Sequence, residues 1–303
     1  MQESTGSVMT AQPMSFELHP DPARPLPPVM GLIAGEGDFP LLLAQGAHSA
    51  GVKLVVFGVA GLASDRLKDV AWKIYSLRLT DLSRLFELCR EHDIKHLTMA
   101  GRVPHKVLLK QISLDPRVLK VLGRLGNKKA DSILKAATEE IESEGIEVLD
   151  STLFLKSTMP PPGLLTPGCP LDEETTREID FGYPIAKEIA RLDIGQTIAV
   201  KNQIVVGVEA IEGTDHLILR CGELVGPGVT FVKVSKPLQD MRFDVPVIGK
   251  TTIQNLIKIK ARALAVTAGK TIFLDREESV ELATRNGISL FGYQEPGYRK
   301  PGS

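Results

Sequence analysis

The chain has 303 residues, 43% hydrophobic and 24% charged, with 36 lysines and arginines against 37 aspartates and glutamates. That length suggests two domains of ~100–200 residues each, and the apolar share excludes wholesale disorder. A net charge of −1 argues against whole-chain basicity as a grip on nucleic acid, and aromatics at 5% supply few stacking platforms.

Residues 1–29 carry Pro13, Pro20, Pro22, Pro25, Pro27 and Pro28 without a periodic apolar pattern, and lack the basic start and apolar centre of a secretory signal. They read as a flexible extension. From Val29-Met-Gly-Leu-Ile-Ala-Gly35 onward the pattern alternates strand and helix. A helix is expected after Asp38, with Pro40 just inside its start and Gly51 past its end. Strands follow at Lys53–Phe57, Lys73–Leu79 and His96–Val103, and the spacing of Leu82, Leu85, Phe86 and Leu88 predicts a helix over Asp81–Glu91. Helices are expected around Pro116–Leu125 and Ala130–Glu144, then a strand at Glu147–Asp150. Strands separated by helix-sized segments predict a parallel sheet covered on both faces, a Rossmann-like domain over 30–155.

The proline-dense stretch 156–171 reads as a linker. Beyond it a domain over 172–292 is expected, and 293–303 reads as a tail. Asp172–Leu192 has the acid-first, base-last order of a helix. Thr197–Val200 and Gln203–Val208 form a hairpin around Lys201-Asn202. Thr230–Val234 and Thr271–Leu274 read as strands, Ile253–Lys260 and Arg276–Arg285 as helices. The fold class is thus α/β: a Rossmann-like parallel-sheet N-terminal domain followed by a mixed α/β C-terminal domain.

No stretch approaches the ~18 uninterrupted apolar residues of a membrane span. Cys89, Cys169 and Cys221 are far apart and form no CxxC, so a disulfide framework or zinc knuckle is not expected. His92 and His96 lie four apart, but a helix running out into a strand there keeps them off one face. A bound metal would be a hard cation held by carboxylates, such as Mg²⁺. The first glycine turn, Gly35-Glu36-Gly37-Asp38-Phe39-Pro40, has proline where a dinucleotide fold needs its third glycine, and no acidic residue closes the next strand. A nicotinamide cofactor is therefore disfavoured. Those glycines either make a tight turn or present amides to a ligand.

Two clusters in the second half carry candidate chemistry. In Lys201–Asp215, the carboxylates Glu212 and Asp215 and the Thr214 hydroxyl crowd a glycine turn after an apolar strand; a solvated loop would explain those two acids, but explains less well Glu209, which belongs to the Val205–Ile211 stretch. In Lys233–Pro246, Lys233 and Ser235 point the same way along a strand, and Asp240, Arg242 and Asp244 repeat with period two. If extended, that second segment would set two carboxylates on one side, flanked by Lys236 and Arg242. Such a pattern suits a divalent cation bridging to phosphate oxygens, with an exposed salt-bridged loop as the plain alternative.

The strings Leu32-Ile-Ala-Gly35-x-Gly37-x-x-Pro40, Ala100-Gly-Arg-Val103, Phe181-Gly-Tyr-Pro-Ile-Ala186, Leu192-Asp-Ile-Gly-Gln196, Val200-Lys-Asn-Gln203, Glu209-Ala-Ile-Glu-Gly-Thr-Asp215, Lys236-Pro-x-Gln-Asp-x-Arg-x-Asp-x-Pro-x-Ile-Gly249 and Leu274-Asp-Arg276 occur in this order. They resemble the LpxI-type UDP-2,3-diacylglucosamine pyrophosphatase family of lipid A biosynthesis, over roughly residues 30 to 292. The resemblance implies a Mg²⁺-dependent hydrolase that yields 2,3-diacylglucosamine 1-phosphate and UMP, with the lipid lying between a Rossmann-like and a C-terminal domain. An aspartate of the C-terminal domain is needed in the family, and Asp240 and Asp244 both stand in the matching motif.

The residue roles expected from these readings are as follows. Asp240 and Asp244 hold the metal, Glu212 or Asp215 completes its shell or orients water, and Lys201, Lys236 and Arg242 offset phosphoryl charge. Gly35, Gly37, Gly101 and Arg102 contact the substrate from the first domain, with Lys236, Gln239 and Thr214 contributing from the second. A cytoplasmic location, transient contact with the inner-membrane surface and no nucleic-acid partner are expected, and a homodimer is left open. The rival readings are a nucleotide-sugar oxidoreductase and a non-catalytic phospholipid or nucleotide-sugar binding module.

Overall fold

Val29–Ala34, an apolar run with a single interior glycine, forms the central strand β1 of a five-stranded parallel sheet in the computed structural model. The structure describes residues 25–104, 115–123, 130–237, 239–242 and 244–295. Strands β2 (Lys53–Val59), β3 (Lys73–Leu77), β4 (His96–Ala100) and β5 (Glu147–Val148) complete this sheet in the order β3-β2-β1-β4-β5. Helix α1 (Phe39–Ser49) starts beside Asp38 with Pro40 in its first turn and covers one face. Helices α2 (Leu82–Glu91), α3 (Pro116–Gly123) and α4 (Ala130–Ser143) cover the other. The continuous burial of Leu54–Val59 is what a strand covered on both faces requires.

The second sheet has six strands in the order β6-β13-β11-β9-β7-β8. Its centre is parallel: β9 (Thr230–Lys233), β11 (Ala263–Thr267) and β13 (Ser289–Tyr293). Antiparallel strands flank it, β6 (Gly163–Leu164) on β13 and the hairpin β7 (Thr197–Lys201) and β8 (Ile204–Val208) on β9. The hairpin turns at Asn202 and Gln203, both left-handed at φ 52° and 55°, the backbone sense that matches strand twist in a two-residue turn. Helix α5 (Glu173–Arg191) is N-capped by Asp172, whose Oδ1 accepts from Thr175 N at 2.7 Å. Helices α6 (Thr214–Val225), α7 (Lys250–Lys258) and α8 (Arg276–Arg285) pack with the other side.

Several expectations change here. The proline-dense stretch 156–171 contributes β6 and is tied into the second sheet: Gly269 N donates to Pro160 O at 2.9 Å and Leu165 N to Leu290 O at 2.8 Å. Helix α6 and strands β11 and β13 stand where no element was expected. Their apolar runs are five residues long or are opened by an acidic glycine segment, which leaves the period ambiguous. The domains also interlock. Ile272 of strand β12 (Ile272–Phe273), which pairs in parallel with β10 (Val247–Ile248), packs with Met241, Val245 and Leu274 into the α1-side core of the first domain. Residues 1–24, 105–114, 124–129 and 296–303 lie outside the described residues, and with them most of the extension, the end of the expected Pro116–Leu125 helix and most of the tail.

Candidate active site

Residues that follow the carboxyl ends of β5 in the first sheet and of β9 and β11 in the second line one cleft, the edge at which open α/β sheets place ligands. Between the domains lies a cleft of about 850 Å³. Lys156 lines it from the segment between the sheets, and Lys270 and Arg276 line it from the second domain, facing Asp150 and Thr152 at the end of β5. Burial pulls the Arg276 guanidinium below the ordinary arginine range. Asp150 Oδ1 accepts from Thr152 N at 2.7 Å and Thr152 Oγ1 at 2.6 Å, which fixes the carboxylate at the cleft wall.

The motif 236–244 forms a turn beside this cleft, not the extended segment expected from its period-two spacing. Asp244 N donates to Asp240 O at 3.0 Å, and Asp240 Oδ1 accepts from Arg242 N at 3.1 Å. That curl lets Arg242 grip Asp240 twice, Nε at 2.9 Å and Nη2 at 2.7 Å. The guanidinium holds the Asp240 carboxyl below the usual range. Arg242 Nη1 also meets Glu142 of α4 at 2.9 Å, across the domain boundary. Asp244 pairs instead with Lys236 (2.9 Å), which shares Asp193 (2.8 Å). Gln239 sits inside the turn: its Oε1 accepts from Lys236 N (2.6 Å) and Gln196 Nε2 (2.8 Å), and its Nε2 donates to Asp244 O.

A partly buried layer, joined to it through Gln196, supports the turn. Thr214 Oγ1 donates to Glu209 Oε1 at 2.9 Å and accepts from Lys233 Nζ at 2.7 Å, while Gln196 N donates to Glu209 Oε2 at 3.3 Å. Burial pushes the Glu209 carboxyl up, but the Lys233 ammonium and the hydroxyl and amide donors outweigh it and hold it below the usual range. Thr214 is therefore an internal link between Glu209 and Lys233 and does not line the cleft. Ser235 is fully buried at the end of β9, and its Oγ has no partner among the described residues.

On the far edge Glu295 accepts from Lys187 Nζ (2.5 Å), Lys270 Nζ (2.5 Å) and Tyr183 OH (3.1 Å), so the residue just past β13 anchors a cleft lysine. Burial works against ionisation of Glu295, yet the two lysines hold its carboxyl below the usual range. The sequence reading set 293–303 aside as tail; a period-two run through Tyr293 was the available signal.

Other expected residues are not brought to the cleft. Lys201 lies at the opposite end of β7 from Thr197, roughly 13 Å away at ~3.3 Å per residue. It donates to Val225 O (2.6 Å) and Pro227 O (2.9 Å), capping the end of α6. Glu212 pairs with Arg220 at 2.8 Å, and Asp215 accepts from Thr252 Oγ1 at 3.1 Å. The four-carboxylate metal shell is thus dispersed, and among the described residues no group of three or more His, Cys, Asp or Glu gathers as metal ligands. Arg102 is turned back on Glu36 (Nε to Oε1, 2.7 Å). Gly35 and Gly101 are explained by backbone crowding: a Cβ on Gly35 would lie 2.6 Å from Arg102 O, and Gly101 (φ +91°) faces Pro40 and Glu36 O. Gly37 adopts φ +95° in open space. His92 bonds Tyr75 OH at 2.7 Å and His96 neighbours Glu147, so those histidines share no ligand face.

Fold and site together define a two-domain α/β protein with a cationic interdomain cleft. Models of the LpxI N-terminal and C-terminal domains match residues 29–158 and 161–291. The UDP-2,3-diacylglucosamine pyrophosphatase LpxI of Caulobacter vibrioides is 30% identical over 275 residues, 87% of this chain and 96% of that protein. The chain belongs to the LpxI family. A solved phosphoribosylglycinamide synthetase from Anaerococcus prevotii aligns at 10% identity over 57% of this chain and 31% of its own, with a TM-score of 0.25, too distant to carry an argument.

Proposed function

We propose that this chain hydrolyses the pyrophosphate of UDP-2,3-diacylglucosamine in the interdomain cleft, releasing UMP and 2,3-diacylglucosamine 1-phosphate. The relative that matches this chain over nearly its whole length bears the name of that activity. The observation that carries the reading is the cleft itself, where Lys156, Lys270 and Arg276 line one cavity. Phosphoryl transfer needs mainly positioning and neutralisation of charge, and those side chains supply both. Water adds to one phosphorus as the bridging P–O bond breaks, and the departing phosphate carries away the electron pair. Asp150, held by Thr152, lines the same cleft and would orient the water.

Magnesium is part of this proposal. The dispersed acids build no all-protein cage, but Mg²⁺ is commonly held by one or two carboxylates plus substrate phosphates. Asp240 and Asp244 would be those carboxylates, and the ion would supply further neutralisation of the pyrophosphate. Arg242 and Lys236 would meanwhile fix the two carboxylates in place. A diacylated substrate resides in a bilayer, so the protein would make transient contact with the inner-membrane surface from the cytoplasm. No helix among the described residues is long and apolar enough to cross a membrane.

The test is UMP release from UDP-2,3-diacylglucosamine by the full chain, with Mg²⁺ and with excess EDTA. Release that depends on Mg²⁺ and falls at least tenfold in Asp240→Asn or Asp244→Asn is the expected result. No release from the wild-type chain under any metal condition would overturn the reading. A retained diacylglucosamine phosphate without turnover would point to a binding module.

A further inference from the structure

Glu295 divides its two oxygens between two lysines of different standing. Its Oε1 accepts from Lys187 Nζ at 2.5 Å and from Tyr183 OH at 3.1 Å, while its Oε2 accepts from Lys270 Nζ at 2.5 Å. Lys270 lines the interdomain cleft; Lys187, Glu295 and Tyr183 do not. The side chains of Glu295 and Lys187 are 15% and 19% exposed against 40% for Lys270, so Lys270 is the member open to a ligand.

Charge and geometry give each member a separate task. The backbone that carries Lys270 is already fixed, since Ala268 N donates to Tyr293 O at 3.0 Å and Gly269 N to Pro160 O at 2.9 Å. What is left to fix is the flexible four-carbon stem. Glu295 does so by taking one of the three ammonium donors. A lone Glu295–Lys270 pair would be neutral and would attract an anion only weakly. Lys187 offsets the carboxylate from the inner side. It is itself held by Ser235 O at 2.7 Å and stands one helical turn from Tyr183 on α5. Two lysines on one carboxylate leave one positive charge uncancelled, and Lys270 presents it to the cleft.

We infer that Lys187 and Glu295 are positioning residues. Glu295 orients the Lys270 ammonium toward a phosphate in the cleft, and Lys187 keeps the charge of that ammonium from being cancelled. The inference rests on the proposed function for the pyrophosphate, but the charge balance is read on binding, without turnover.

Calorimetry of inorganic pyrophosphate with the full chain is the direct test. Lys187→Met should weaken binding about fivefold, the upper range for a partly exposed charge pair, although Lys187 does not line the cleft. Adding Glu295→Gln restores the charge balance and should return the affinity to about that of wild type. A merely structural lysine would not be rescued by breaking a further bond of the same network. A double variant as weak as Lys187→Met, or a wild-type chain that binds no pyrophosphate, would overturn the inference. In UMP release, Glu295→Gln alone should lower kcat about fivefold with KM no higher, because orientation is lost and attraction is not. A raised KM with kcat unchanged would count against the orienting role. Absence of UMP release from wild type, with the pyrophosphate pattern intact, would defeat the proposed function alone.

Discussion

Arg242 and Glu142 meet at 2.9 Å across the domain boundary, while the same guanidinium holds Asp240 through two further bonds. One side chain thus ties the motif turn to α4 and fixes the direction of its carboxylate. Arg242→Ala is expected to lower kcat for UMP release at least tenfold. Arg242→Lys should not restore it, because an ammonium cannot reproduce the planar fork that serves both partners. Steady-state kinetics of the two variants check this.

Glu209, partly buried, and Lys233, buried, are linked as a hydrogen-bonded charge pair through Thr214. Removing one member leaves the other uncompensated, at a cost of about 3–5 kcal/mol. Glu209→Gln should show that loss in urea unfolding at pH 7. The folded Glu209 carboxyl lies below its ordinary value, so its contribution is present above the unfolded value of ~4.3 and is lost as pH falls through the folded one. The gap between wild type and variant should therefore shrink on acidification below about pH 4.

Gly101 sits at φ +91°, and a Cβ there would come within 2.7 Å of Pro40 Cγ and 2.8 Å of Glu36 O. Gly101→Ala should destabilise the first domain by about 1–3 kcal/mol from crowding, with the left-handed backbone adding to it. Chemical denaturation reads the change.

Ser235 Oγ is buried and has no partner among the described residues. Deleting such a group removes an uncompensated desolvation cost. Ser235→Ala is expected to keep or raise the thermal midpoint, measured by circular dichroism.

Cys89, Cys169 and Cys221 are buried free thiols, and burial pushes Cys89 up to about 12. None should react with iodoacetamide at pH 8 in the native protein, since the thiolate is the nucleophile. All should react after unfolding, which intact mass spectrometry will show.

The sequence by itself determined the first domain almost whole. Its central strands β1, β2 and β4 are largely buried and so read as apolar runs, and Pro40 and Gly51 punctuate helix α1. The hairpin at Asn202 and the capped helix from Asp172 were legible for the same reason: their signals are local. The motif strings also pointed to the family. Tertiary structure alone decided which polar residues meet. Asp240 and Asp244 looked like a pair on one strand face, but the turn gives each its own cation, Arg242 and Lys236. Lys201 stands beside the motif residues in sequence and at the far end of the strand in space. Asp150, Lys270 and Glu295 come from three separate segments and share a neighbourhood only because β5 of the first sheet and β11 and β13 in the parallel centre of the second end near one cleft. Such convergence depends on strand order and domain packing, which no spacing along the chain records.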